Sequence, residues 1–320
     1  MDYHKLASRY KQFGGIRLVW QYTKHGVMPV VIKGVVVCVL KRESFKAIYP
    51  EVLNRVEPKL IAKYGARVQE LKKFNSSRDL SHDHPKVIWW CWLQGKEQAP
   101  PLVKTCYRSL KRNLPEYEIK VIDAENWKEY VKLPEYIVKK WEKKQIPPAL
   151  FSDLLRLELL IKYGGTWIDS TVLCTGFNNN HNDNYLDADL FLFQYTKQGS
   201  LPMSISNWFI SAHSNNEVLI VLRDMLYAYW KDYNCVLDYY IFHLFFAMIS
   251  KEYPEQMLAM PYGQSHNSIA LMHNWGKSFN QKKWEHLTEN ACFHKLSHRV
   301  EDSVKGDKDN YYNAIIIIYG

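Results

Sequence analysis

Several familiar signals are missing from this 320-residue chain, and each absence removes a class of function. There is no Gly-rich phosphate loop and no GxSxG elbow, which disfavours a P-loop phosphotransferase or an α/β hydrolase. The six cysteines (Cys38, Cys91, Cys106, Cys174, Cys235 and Cys292) form no CxxC and no short metal-binding spacing. They read as reduced thiols, and the expected compartment is the cytosol. No apolar run reaches the ~20 residues needed to cross a bilayer. The best candidate, GVMPVVIKGVVVCVL at 26–40, is broken by Pro29 and Lys33. It suits a monotopic insertion or a docking arm. The opening MDYHKLASRYK lacks the pattern of a signal peptide. Neither an internal repeat nor the fingerprint of a nucleic-acid-binding module is found.

Aromatic residues, by contrast, are abundant, with 11 Trp and 22 Tyr. Such side chains offer a flat apolar body with a polar edge, useful at sugar faces and bases and equally useful in a core. The net charge of +9 is unevenly placed. Residues 1–80 hold 16 Lys or Arg against 6 Asp or Glu, and the remainder holds 26 against 27. Lys59, Lys63 and Arg67 interleave with Leu53, Val56, Leu60, Ile61 and Val68. That pattern predicts basic amphipathic helices in residues 1–80, suited to an anionic membrane surface or to a plain solvated extension.

The chain is organised around FSDLLRLELLIKYGGTWIDST, residues 151–171. Good helix formers with a broad apolar face predict a buried helix, with Pro147 and Pro148 where it starts. Gly164 and Gly165 end it, Thr166 to Ile168 make a short core strand, and Asp169 stands at the strand's end. Ligands of open α/β sheets bind at that place. Asp153 and Arg156 lie three apart on one helix face. An ordinary ion pair and a turn-opening Asp are the structural alternatives.

Elsewhere, 76–85 reads as a boundary, so that residues 1–80 form an extension and 84–320 the main domain. Val87–Trp92 is the expected first strand, with Trp90 and Trp92 on one face and Trp89 and Cys91 on the other. A helix is expected over 100–114, a strand over 117–122 and a helix over 134–144. Past Asp169, strands are expected over 171–175, 191–195 and 207–212, and a polar loop over 176–185. Helices follow over 216–229 and 238–249, with Asp238 as a helix cap or a sugar contact. The terminal AIIIIYG reads as a β-like tail. Strands alternating with helices before residue 170 make the fold class α/β.

The pieces HPKVIWWCWLQG (84–95), SLKRNLPEYEI (109–119), FSDLLRLELLIKYGGTWIDSTVL (151–173), NWFISAHSNN (207–216), DYYIFHLFF (238–246) and HKLSHR (294–299) resemble the capsular polysaccharide synthesis proteins. These are relatives of the DXD-containing, GT32-like sugar transferases. The resemblance implies a GT-A fold with a Rossmann-like mixed sheet flanked by helices. It implies a nucleotide-sugar donor, UDP-galactose or UDP-glucose, with Mn²⁺ or Mg²⁺. It also implies transfer of a hexose with retention to a lipid-linked saccharide, at the cytoplasmic face of a bacterial membrane contacted through residues 1–80. A homo-oligomer is left open.

On that resemblance Asp153 and Arg156 hold the donor sugar and Asp169 meets the metal and the ribose or diphosphate. Asp238 joins them as a catalytic candidate. Trp90, Trp92, Gly165 and Lys295 are candidates for binding the donor. The metal would take Asp169, Thr171 and His294, and His298 would make a second diphosphate contact. Two solvated histidines are the alternative for His294 and His298. The sequence departs from Asp-any-Asp, because Thr171 stands where a second carboxylate is usual. That leaves room for a non-catalytic nucleotide-sugar-binding partner subunit.

Overall fold

The computed structural model describes residue 13 and residues 15–33, 49–75, 83–177, 185–197 and 199–320. Cys38, most of the boundary at 76–85, residues 34–48 of the basic extension and most of the polar loop at 176–185 lie outside the described residues. The fold is mixed α/β, with an open mixed sheet of the Rossmann-like GT-A type and an N-terminal helical extension. It divides into two compact units. One gathers residues 1–79, 132–157 and 217–252, the other residues 80–131, 158–216 and 253–320.

The first unit is helical. Helices α1 (Ile16–Lys24) and α2 (Tyr49–Asn75) belong to it, and residues 28–33 are also helical. In α2, Val52, Val56, Leu60, Tyr64 and Val68 are buried at every fourth position, the spacing that puts side chains on one helical stripe. Pro58 lies inside the helix on its exposed side, where the bond its missing N–H would have given the Asn54 carbonyl is lost on the solvent face. The Tyr64 hydroxyl donates to Asp232 at 2.8 Å, and Lys63 pairs with the same carboxylate at 2.8 Å. The apolar stripe of α2 is thus consumed inside its own unit, and its basic residues lie off that stripe.

The second unit carries the sheet, with strands β1 (Val87–Cys91), β2 (Glu118–Ile122), β3 (Gly165–Ile168), β5 (Leu190–Gln194) and β6 (Ile205–Ala212) in the order β2-β1-β3-β6-β5. Helix α3 (Pro101–Asn113) connects β1 to β2, and β1 runs parallel to both β2 and β3. The chain therefore leaves β1 to one side for β2 and comes back on the other side for β3. That is a topological switch point, with the carboxyl ends of both strands on one sheet edge. Strand β6 is antiparallel to β3, and β5 to β6. The small strands β4 (Val172–Cys174) and β7 (Phe293–Lys295) pair antiparallel.

The helix expected before Asp169 runs over Pro148–Tyr163. The glycines that end it are required by contact. A side chain at Gly164 (φ +72°) would bring its Cβ to 2.3 Å from the Asp83 carbonyl. At Gly165 (φ +90°) the Cβ would lie 2.6 Å from the Val87 carbonyl of β1. Both positions demand the left-handed backbone and the bare Cα that only glycine supplies cheaply.

Two sequence expectations need correction. The AIIIIYG tail is not β-like; Tyr311–Tyr319 is a helix. Asn310 caps it, its side chain accepting from the Asn313 N–H at 2.9 Å. Tyr311, Tyr312 and Ile315 are buried and Ile317 is exposed, which is a helical division of an apolar run that has no alternation of its own. The helix expected over 238–249 begins at Ile241; Asp238 precedes it, and its side chain accepts, at 2.7 Å, from the Tyr240 N–H of the turn that leads in.

Candidate active site

Asp169 follows β3, and three backbone bonds fix its turn. Its N–H donates to the Trp208 carbonyl of β6 at 2.8 Å, the Val172 N–H donates to its carbonyl at 3.0 Å, and the Leu296 N–H donates to the Thr171 carbonyl at 2.9 Å. The carboxylate is addressed from two sides. The Trp167 indole N–H, two residues back and so on the same strand face, donates to Oδ1 at 2.9 Å. The Lys295 ammonium lies 3.0 Å from Oδ2 and donates to the Thr171 hydroxyl at 2.5 Å. Lys295 arrives from the far end of the sequence because β7 pairs with β4, with Lys295 opposite Val172. Three of the expected residues, Asp169, Thr171 and Lys295, are therefore one cluster, partly open to solvent.

Beside it, Trp92 lies just past β1 with its ring 5.4 Å from that of His298. Burial first, then the charges of Arg299 and Lys295, lower the His298 pKa, which keeps the imidazole neutral. Trp90 is fully buried in the core and packs edge-on to Tyr107. Gly165 sits at the opposite end of β3 from Asp169, where the close approach to β1 accounts for it. His294 is buried, with Nε2 3.2 Å from the Thr175 hydroxyl. Strand alternation aims it to the other face of β7 from Lys295.

In the first unit, Asp153 and Arg156 form a buried ion pair at 3.3 Å across one helical turn, as their spacing implied. Arg156 also donates to the Ser152 carbonyl at 3.3 Å and hydroxyl at 3.2 Å. A buried guanidinium so bound is a fixed cation with its fork set in direction. His243 escaped the sequence reading, where it was one polar residue in an apolar run. Burial, and then repulsion from Arg156, push its pKa down to about 4. Its Nδ1 has no partner among the described residues. Asp238 is also buried. Its Oδ1 accepts from the Tyr240 N–H at 2.7 Å and the Tyr49 hydroxyl at 3.2 Å.

A divalent cation was expected at Asp169, Thr171 and His294. Among the described residues no group of three His, Cys, Asp or Glu is placed to hold one. Asp169 and Thr171 offer one carboxylate and one hydroxyl, and the Lys295 ammonium already bridges them. Hard cations want several oxygens, so this donor set does not fit one as it stands.

No curated protein matches the chain. Among solved structures, a chain described as "PaToxG Glycosyltransferase" is 13% identical, with a TM-score of 0.36 over 73% of this chain and 94% of that one. A likeness at that level carries no argument. The family comparison is of a different order. The model of the capsular polysaccharide synthesis proteins matches residues 38–315, a span that takes in both the Asp153–Arg156 pair and the Asp169–Lys295 pair, and the chain belongs to that family.

Proposed function

We propose that the protein is a glycosyltransferase of bacterial surface-polysaccharide assembly, of the GT32-like branch. It moves a hexose from UDP-galactose or UDP-glucose to a lipid-linked saccharide, with retention. The observation that carries this reading is the Asp169–Thr171–Lys295 cluster at the carboxyl edge of a parallel strand pair. As the bond between the anomeric carbon and the diphosphate breaks, negative charge gathers on the phosphate oxygens. A fixed ammonium nearby is stabilising where that charge develops. Asp169 and Thr171 orient Lys295 for this. The Trp92 ring, held edge-on by His298, offers a flat face for the base. The acceptor oxygen bonds to the anomeric carbon while its proton passes to the departing phosphate.

Membrane contact belongs to the same proposal. No helix among the described residues is long and apolar enough to cross a bilayer. Helix α1 instead exposes Ile16 (79%) and Trp20 (61%) beside Arg17 and Lys24, and Ile32 is exposed next to Lys33. Apolar and cationic side chains mixed in this way suit a peripheral seat on an anionic leaflet.

The single carboxylate at 169–171 supports a second reading, a partner subunit that binds a nucleotide sugar without turning it over. Release of UDP from UDP-galactose and UDP-glucose separates the two. The transferase reading expects slow hydrolysis by the wild type that falls by at least about a hundredfold in Asp169→Asn, the scale of losing one group that acts on the developing charge. Equal rates for both proteins would refute the site, and donor binding without hydrolysis or transfer would establish the partner subunit.

A further inference from the structure

The second unit contains a cavity of about 230 Å³ that takes no part in the chemistry above. None of its lining residues carries a charge. Tyr185, Phe193 and Tyr262 give it aromatic surface. Two of these rings are locked, Tyr185 stacked on Phe191 at 4.2 Å and Phe193 on Trp208 at 4.5 Å. Opposite chemistry comes from the amides of Gln264, Asn267 and Asn290 and from the Ser268 hydroxyl. Ser268 is fully buried, and its Oγ has no hydrogen-bond partner among the described residues. Leaving such a group unpaired costs about 1–3 kcal/mol, and it belongs to the wall of this cavity.

The wall that holds Ser268 is built for close approach. The Gln194 N–H of β5 donates to the Gly263 carbonyl at 2.7 Å. A Cβ on Gly263 would lie 2.5 Å from the Phe191 ring, so only glycine lets this loop lie flat on the strand. The cavity also reaches Ala291 and Cys292, and Lys295 stands three residues beyond Cys292. At strand rise that is about 10 Å along the chain.

Aromatic faces, amide and hydroxyl edges and no charge suit a neutral sugar ring. It has apolar C–H faces and a rim of hydroxyls, and it carries no phosphate. We propose that this cavity seats a neutral pyranose ring of the acceptor saccharide. Its binding of sugar stands on the cavity alone, while its assignment to the acceptor rests on the transferase reading.

Saturation-transfer NMR tests it, with methyl galactoside, methyl glucoside, N-acetylglucosamine and lactose as probes, and uridine as the base control. At least one neutral sugar is expected to bind the wild type. Its affinity should fall at least about tenfold in Tyr185→Ala and more mildly in Ser268→Ala. Thermal melts verify that both variants are folded, and Ser268→Ala is the mild one, since it removes the hydroxyl and adds no atom. Asp169→Asn should bind the same sugar as well as the wild type does. Absence of binding by every sugar, equal binding by both cavity variants, or uridine binding in preference to the sugars would overturn the proposal. Should Asp169→Asn keep full hydrolysis while the cavity variants lose sugar, the transferase site is wrong and the sugar cavity stands.

Discussion

Asp238 is almost wholly buried, at 1% exposure, and its Oδ2 has no partner among the described residues. Burial is the main force raising its pKa from 3.8 to about 6. The Tyr240 N–H and the Tyr49 hydroxyl pull it down, and Glu57 pushes it up. The folded protein therefore binds more protons here than the unfolded chain between pH 3.8 and 6. Stability contributed by the neutral acid is complete below that window and is lost as pH rises through it, by about 3 kcal/mol. His243 works in the opposite sense. Its lowered pKa means stability is lost as pH falls from 6.5 towards 4. The two overlap, so the informative quantity is the difference between wild type and Asp238→Asn. Denaturant melts from pH 4 to 7 should show the variant gaining on the wild type as pH rises. Parallel curves would mean that Asp238 is not a buried acid. The same measurement bears on the sequence reading of Asp238 as catalytic, because an acid tied to Tyr49 of α2 has a structural task of its own.

At the scale of elements, the turn from helix to β3 is the most constrained part of the second unit. Replacing Gly164 by Ala forces a side chain into the Asp83 carbonyl at a positive φ, and a loss of about 2–4 kcal/mol is expected in urea unfolding. A loss below about 0.5 kcal/mol would show the turn to be pliable. This helix, turn and strand could be read from the chain because each part carries a local signal: good helix formers, paired glycines, then Thr166-Trp167-Ile168 stopping at Asp169. The Asp153–Arg156 pair was legible for the same reason, since three residues on a helix is a distance as well as a count. Lys295 could be named from resemblance, but its bond to Asp169 could not be read. The two residues stand 126 apart in sequence, and the pairing of β4 with β7 that joins them leaves no periodic trace. The tail misled because Ile315 to Ile318 is apolar without alternation, and only the Asn310 cap and the partner surfaces at Leu102 and Cys106 decide for helix.

For the molecule as a whole, the uneven charge of the sequence has a structural counterpart. The basic residues of α2 lie outside a buried stripe, and Ile16, Trp20 and Ile32 are exposed next to basic side chains. Changing Trp20 and Ile16 to Glu should weaken binding to phosphatidylserine vesicles at least about tenfold, and binding by the wild type should fall with added salt. Vesicle sedimentation unchanged by both would place the membrane contact elsewhere. In the second unit an ammonium is held by Asp169 and Thr171, and the proposed function has it meet the diphosphate of an activated sugar. Calorimetric titration of UDP into the full chain, in EDTA, addresses it most directly. The account predicts that UDP binds without a divalent cation and at least about tenfold more weakly to Lys295→Met. Binding that vanishes in EDTA and returns with Mn²⁺, equally in wild type and Lys295→Met, would contradict it.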